Sequence, residues 1–420
     1  MRLHLQLFLS LVLFFWSTLC ALASPQTITV TNHEELKKAL FQIVPGTTIL
    51  IASGVYSKGF YLEAIHGTAA APIVISGTDP ENPPVFTGFG EGAKLSNCSY
   101  VKLSNLIFQG FPKNGINIDD GGNVETPSHH LLLENLEIRN IGPKGNADAL
   151  KLSGVQHFVV RDCRIASWGG SAIDLVGCQN GLIEKCRLLG GKGFRNANGI
   201  QIKGGSRFIL VQTSLFRNAG ERAINLGGST GLQYFRPAIT DYEARDVTIA
   251  GNTFIGGEAH VAWVTAQDSQ VHHNLFFLPG KWIGRILQET KDQRFKPSGN
   301  GFFANNMVVT DERVGTMFNV GRGTDPDSFI FRDNAWFRSD SSRKPILPTS
   351  EKDGMYDLDP MIADQGEGPL TPGSTDPRIK QVGPWEYAPW QMKQDFGDVM
   401  VPPVIAPKKT AIQFLDRFIR

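Results

Sequence analysis

A short phrase returns nine times along this chain: a polar residue, usually Asn or Asp, then a small or apolar pair, then an aliphatic or aromatic residue. It reads Asn105-Leu-Ile-Phe, Asn135-Leu-Glu-Ile, Asp162-Cys-Arg-Ile, Lys185-Cys-Arg-Leu, Thr213-Ser-Leu-Phe, Asn252-Thr-Phe-Ile, Asn274-Leu-Phe-Phe, Asn306-Met-Val-Val and Asn334-Ala-Trp-Phe. Successive first residues are 30, 27, 23, 28, 39, 22, 32 and 28 positions apart. Repeats of that length, built from short alternating runs rather than helical ones, imply coils stacked in parallel, an all-β solenoid. Between the phrases run second strands with period two: Gly115-Ile-Asn-Ile-Asp119, Ala149-Leu-Lys-Leu-Ser153, Ala172-Ile-Asp-Leu-Val176, Gly199-Ile-Gln-Ile-Lys203 and Ala223-Ile-Asn-Leu-Gly227. Ile116, Leu150, Ile173, Ile200 and Ile224 are expected to point inward, and the residues between the aliphatics outward.

The repeats divide the chain. Residues 1–23 read as a secretion signal: Arg2 is the positive end, Leu7 to Leu19 the apolar core, and Ala21-Leu22-Ala23 the cleavage site. That core is shorter than the roughly 20 residues of a membrane span, and Cys20 is not read as a lipid anchor. Residues 24–71 are the expected N-terminal cap and first strands, with an amphipathic helix over 34–43 capped by Asn32. Residues 72–338 are the repeats, and 339–420 a Pro-rich tail packing on the solenoid, with a short helix expected at 409–420. The expectation is an exported, monomeric protein outside the membrane.

Forty-one basic residues against 40 acidic give a formal charge of +1. That balance offers no general attraction for nucleic acid or an anionic membrane. Any preference for an acidic partner must come from local charge. The four cysteines past the signal, Cys98, Cys163, Cys178 and Cys186, contain no C-x-x-C pair. Cys163 and Cys186 share a slot in successive repeats. They are read as an interior thiol ladder, with a disulfide between them as the alternative.

From Pro45-Gly-Thr-Thr-Ile to Trp336 the chain resembles right-handed parallel β-helix proteins of the pectate-lyase type. Two enzyme groups with that fold supply patterns. Lyases of the alginate lyase and chondroitinase B group carry an Ile-x-Val-Lys-Ser-like strand whose Lys is the base, and an Arg-His-Gly strand end one coil later. Ile200-Gln-Ile-Lys203-Gly matches the first. At the second this chain has Ala223-Ile-Asn-Leu-Gly227-Gly, and Arg222 stands five residues earlier as a substitute. Polygalacturonases carry Asn-Thr-Asp, Asp-Asp and Gly-His-Gly. Asn146-Ala-Asp148 resembles the first, but Gly170-Ser171 and Asn198-Gly-Ile stand at the others.

Aligned second strands display three outward columns: Asn114, Asp148, Ser171, Asn198, Arg222; then Asn117, Lys151, Asp174, Gln201, Asn225; then Asp119, Ser153, Val176, Lys203, Gly227. Neighbours in a column are about 5 Å apart. Removing the proton beside a uronate carboxylate needs a base and a positive group to stabilise the developing charge. The resemblance assigns the base to Lys203, and Arg222 is the substitute carboxylate clamp. Lys151, Gln201 and Asn225 extend the patch as substrate contacts. Asp148 and Asp174 are candidate ligands for Ca²⁺, which needs six or more oxygens. Tyr234, Trp263, Trp168, Trp282 and Phe235 are candidate sugar platforms, Trp263 with a register ambiguous by one residue. His260 is a second possible acid or base; the pairs His129-His130 and His272-His273 read as structural. Three readings follow: a polysaccharide lyase on an acidic glycan, a glycoside hydrolase using Asp148 and Asp174, and a noncatalytic glycan-binding rod.

Overall fold

The computed structural model describes residues 25–399 apart from 364, 365, 367 and 369. The secretion signal, Cys20 and the helix expected at 409–420 lie outside them. The described chain winds through three parallel sheets of fourteen, eleven and ten strands. One coil shows the plan. Gln156–Arg161 lies on the first sheet, Arg164–Trp168 on the second and Ser171–Val176 on the third, after which Gln179–Glu184 returns to the first. Each strand pairs in parallel with its counterpart one coil away.

The repeating phrase is the corner between the first and second sheets. Asn105, Asn135, Asp162, Lys185, Thr213, His273, Asn305 and Asp333 take positive φ between 49° and 55° there. Only such a residue turns the chain sharply enough, and Asn and Asp adopt that conformation at least cost. The next residue points inward: Leu106, Leu136, Cys163, Cys186, then Ser214, Asn252, Asn274, Asn306 and Asn334, all buried. The phrase as read in the sequence therefore slips by one residue between Thr213 and Asn252. In the last four coils its first Asn is the inward residue, one position after the true corner.

Those four asparagines form a buried ladder. Each Nδ2 donates to the next Oδ1: Asn252 to Asn274 at 3.1 Å, Asn274 to Asn306 at 3.0 Å, and Asn306 to Asn334 at 3.0 Å. Each also donates to a carbonyl of the preceding coil, so burial leaves their amides satisfied. Glu351 ends the ladder, accepting from Asn334 and from Trp336 Nε1. Burial pushes its carboxyl up to about 6, against those hydrogen bonds. Beside the ladder, Phe216, Phe254, Phe276 and Phe303 stack one coil apart, with centroids 4.7, 5.0 and 5.4 Å from one another. Cys163 and Cys186 are free, buried thiols facing backbone carbonyls, so the ladder reading holds over the disulfide.

The N-terminal helix is His33–Leu40. Asn32 caps it by accepting from Glu35 N, while Glu35 accepts in return from Thr31 N. Leu36 and Ala39 bury that helix against the first coil. At the other end, residues 384–399 run back along the first sheet, where Gln212 Nε2 donates to Trp390 O at 2.8 Å and Tyr387 Oη donates to Gln212 Oε1 at 3.1 Å. Among the described residues no helix is long and apolar enough to cross a membrane.

Candidate functional site

The third sheet carries the outward columns. Its registers pair Asn117 with Lys151, Lys151 with Asp174, Asp174 with Gln201, and Gln201 with Asn225. Leu150, Ile173, Ile200 and Ile224 fill the interior, as period two requires. The extra loop after Arg222–Gly227 folds back over the end of these strands. Phe235, 3% exposed, fastens it against Phe295 at 5.6 Å. Glu243 fixes its first turn by accepting from Thr230 N and Oγ1. Arg236 lands on the corner at Gly177, where a Cβ would lie 2.3 Å from the arginine's own Cβ.

Sheet and loop enclose a cleft of about 430 Å³ lined by eleven residues. Lys151, Gln201 and Lys203 form its floor; Thr230, Tyr234 and Arg236 belong to its wall. Three cations line it and no carboxylate does. The matching acids lie underneath. Asp174, fully buried, receives Lys151 Nζ at 2.6 Å on one oxygen, and its other oxygen forms an ion pair with Lys203 Nζ at 3.0 Å. Asp148, 1% exposed, receives Lys151 Nζ at 3.1 Å and the Ser171 amide at 2.7 Å. Asp120 receives Arg236 Nε at 2.8 Å. Each cation is thus held in place from behind by a buried acid, and Arg236 Nη1 is further tied to Gln233 O and Phe235 O of its own loop.

The electrostatics follow from that layout. Burial, and then Asp174 beside it, push the Asp148 carboxyl up to about 6, although Lys151 pulls the other way. Burial acts to lower Lys151, but Asp174 and then Asp148 overcome it and hold the ammonium above its ordinary range. Lys151 is therefore a fixed positive charge at neutral pH. Lys203 also donates to Gln201 Oε1 at 3.0 Å, which aligns the two side chains along one strand.

Of the residues singled out from the sequence, Lys151, Gln201, Lys203 and Tyr234 meet in this cleft. Others do not. Arg222 lies outside its lining and pairs with Glu289 at 2.7 Å and Asn225 at 3.1 Å. Asn225 is 1% exposed and spends its amide on Arg222 and Gly227 O. Trp263 is fully buried: it pairs with inward Leu226, Ala262 takes the outward position, and its indole donates to Ser269 Oγ. His260 is also fully buried, between Phe254 and Phe276 at 5.6 Å from each, and its Nε2 donates to Gly256 O at 2.9 Å. Burial lowers it to about 3, so it stays neutral and out of reach of a substrate. Trp168 and Phe235 are buried too, and Trp282 lies outside the cleft lining with Lys281 and Arg285 over its ring, so Tyr234 is the candidate ring that lines the cleft.

The expected calcium ligation fails on the same geometry. An ammonium already lies between Asp148 and Asp174, and their remaining oxygens face Lys203 and a backbone amide, so they offer no oxygen cage. What the sequence missed is Arg236. The long interval after Thr213 marked its loop, but nothing in the sequence said which loop residue would return to the sheet.

A family model described as "Right handed beta helix region" matches residues 91–277. No curated protein matches the chain by sequence. Among solved structures, an alginate lyase from Paenibacillus sp. str. FPU-7 is similar at 18% identity, covering 71% of this chain and 96% of that one, with a TM-score of 0.48. A PL6 family polysaccharide lyase from Pseudopedobacter saltans is 16% identical over 85% of this chain and 99% of its own, with a TM-score of 0.46. An exopolygalacturonase from Thermotoga maritima is 12% identical over 74% and 87%, with a TM-score of 0.41. The three-sheet coil is the fold of an all-β parallel β-helix, and the family model's match over residues 91–277 lies within it.

Proposed function

We propose that the protein is an exported polysaccharide lyase that cleaves a uronate-containing glycan by β-elimination. One observation carries the reading: the cleft presents Lys151, Lys203 and Arg236 to solvent with no carboxylate among its lining residues. In a chain of almost zero net charge, such a cleft selects an anionic sugar locally. The substrate carboxylate rests on Lys151 and Arg236, which stabilise the negative charge that builds when the neighbouring carbon loses its proton. Lys203 Nζ, the position that the lyase pattern gives to the base, takes that proton. The C–O bond to the leaving sugar breaks, a C=C bond forms in its place, and the leaving oxygen picks up a proton from the Tyr234 hydroxyl or from water.

The hydrolase reading requires two carboxylates flanking the glycosidic bond. Asp148 and Asp174 both contact the Lys151 ammonium and are 1% and 0% exposed, so neither can reach a bound sugar without that ammonium moving aside. The test is the ultraviolet absorbance of the unsaturated product across alginate, polygalacturonate and glycosaminoglycans. Wild type is expected to generate it on at least one polymer. Lys203→Ala is expected to lose at least about a hundredfold, the scale of general-base catalysis. Full activity in Lys203→Ala, or new reducing ends without the absorbance, contradicts the reading.

A further inference from the structure

On the first sheet, away from the cleft, aromatic rings stack along one corner of successive coils. Tyr100 and His130 lie 4.5 Å apart at 10°, and His130 and His157 lie 4.9 Å apart at 14°. The C-terminal segment crosses this corner. Val399 buries itself among Leu132, Val159, Leu182 and Leu210, and Asp395 pairs with Arg161 at 2.7 Å. That fastening brings Asp398 onto the histidines: its Oδ1 is 3.0 Å from His130 Nε2 and 3.6 Å from His157 Nδ1.

We propose that His130, His157 and Asp398 form a site for a divalent transition metal, zinc by its ligand chemistry, that pins the C-terminal segment to the coil. The three ligand atoms all lie within 4.8 Å of one another. A tetrahedral zinc with bonds of about 2.0–2.1 Å separates its ligand atoms by roughly 3.3–3.4 Å. The two measured separations bracket that edge. His157 Nδ1 is buried without a hydrogen bond of its own, so its lone pair is uncommitted. His130 also has the outer partner a metal-binding histidine needs. Its Nδ1 lies 2.7 Å from His129 Nδ1; donation from His130 Nδ1 to that partner is the arrangement that leaves Nε2 for the ion. Side-chain exposures of 12%, 22% and 62% leave an entrance and room for a water as fourth ligand. Two imidazoles and one carboxylate suit zinc, and too few oxygens converge for calcium or magnesium.

The test uses the full chain, stripped with chelator and titrated with Co²⁺ and with Zn²⁺. One equivalent of Co²⁺ is expected to give the intense visible bands of a four-coordinate site, displaced by Zn²⁺. Zn²⁺ is expected to raise the melting temperature by a few degrees. Asp398→Asn and His157→Asn are expected to abolish both effects, and His129→Ala to weaken affinity by about 10- to 100-fold. Turnover in the cleft is expected to be unchanged in all three. Pale six-coordinate Co²⁺ spectra in wild type, no tight equivalent, or unchanged binding in Asp398→Asn would overturn the proposal. The wild-type spectrum alone decides it even if a variant fails to fold.

Discussion

At the scale of single residues, the site depends on buried acids that orient exposed cations. Asp148 shows what this arrangement costs. Its carboxyl sits at about 6 in the folded chain, above its ordinary value of 3.8, because burial and Asp174 outweigh Lys151. A folded-state pKa raised in this way contributes stability below about pH 4, and that contribution is lost as pH rises through about 6. The melting temperature is therefore expected to carry a downward component between pH 4 and 6, and Asp148→Asn to flatten it in calorimetric scans. An unchanged profile in the variant would remove Asp148 as its source. The two arginines separate in the same way. Arg236→Ala is expected to lower kcat/KM by at least tenfold, since Arg236 lines the cleft. Arg222→Ala, already committed to Glu289, is expected to change it less than threefold. The reverse order would restore Arg222 as the carboxylate clamp. Lys151, Gln201 and Lys203 were legible in the sequence because period two fixes the outward face of their strands. His260 and Trp263 were not, because all six residues of Ala259–Val264 are buried and alternation gives no parity there.

At the scale of the element, the repeating phrase turned out to be a corner followed by an inward slot. The sequence shows both, but Asn suits the left-handed corner and the buried ladder equally well, so alignment by residue type alone slides by one. Only the hydrogen bonds tell the two uses apart. Asn306 accepts from the Asn274 amide and backbone N–H and donates to Val271 O and to Asn334. Asn306→Leu keeps much of the volume but leaves those groups unmatched. Each buried polar group left without a partner costs about 1–3 kcal/mol. The variant is expected to unfold at clearly lower urea with the same dependence on denaturant. A midpoint within error of wild type would show that the ladder contributes little. The short helix was more readily found, since Asn32, Glu35 and the apolar Leu36 and Ala39 satisfy the capping and amphipathic patterns together.

At the scale of the whole molecule, a coil of one residue register carries a cationic cleft on one sheet and a fastened C-terminal segment on another. The fold was legible because every coil repeats the same local rules, and consistency over nine repeats outweighs ambiguity in any one. The cleft was legible only in its floor. Its wall comes from a loop whose path depends on long-range packing of Phe235 against Phe295 and of Arg236 on Gly177 and Asp120, contacts with no local signature. As proposed, this cleft breaks an acidic glycan by elimination. Mass spectrometry of products from a defined uronate oligosaccharide tests it most directly. Elimination predicts fragment masses that sum to the mass of the parent; sums exceeding the parent by one water would establish hydrolysis and contradict the account.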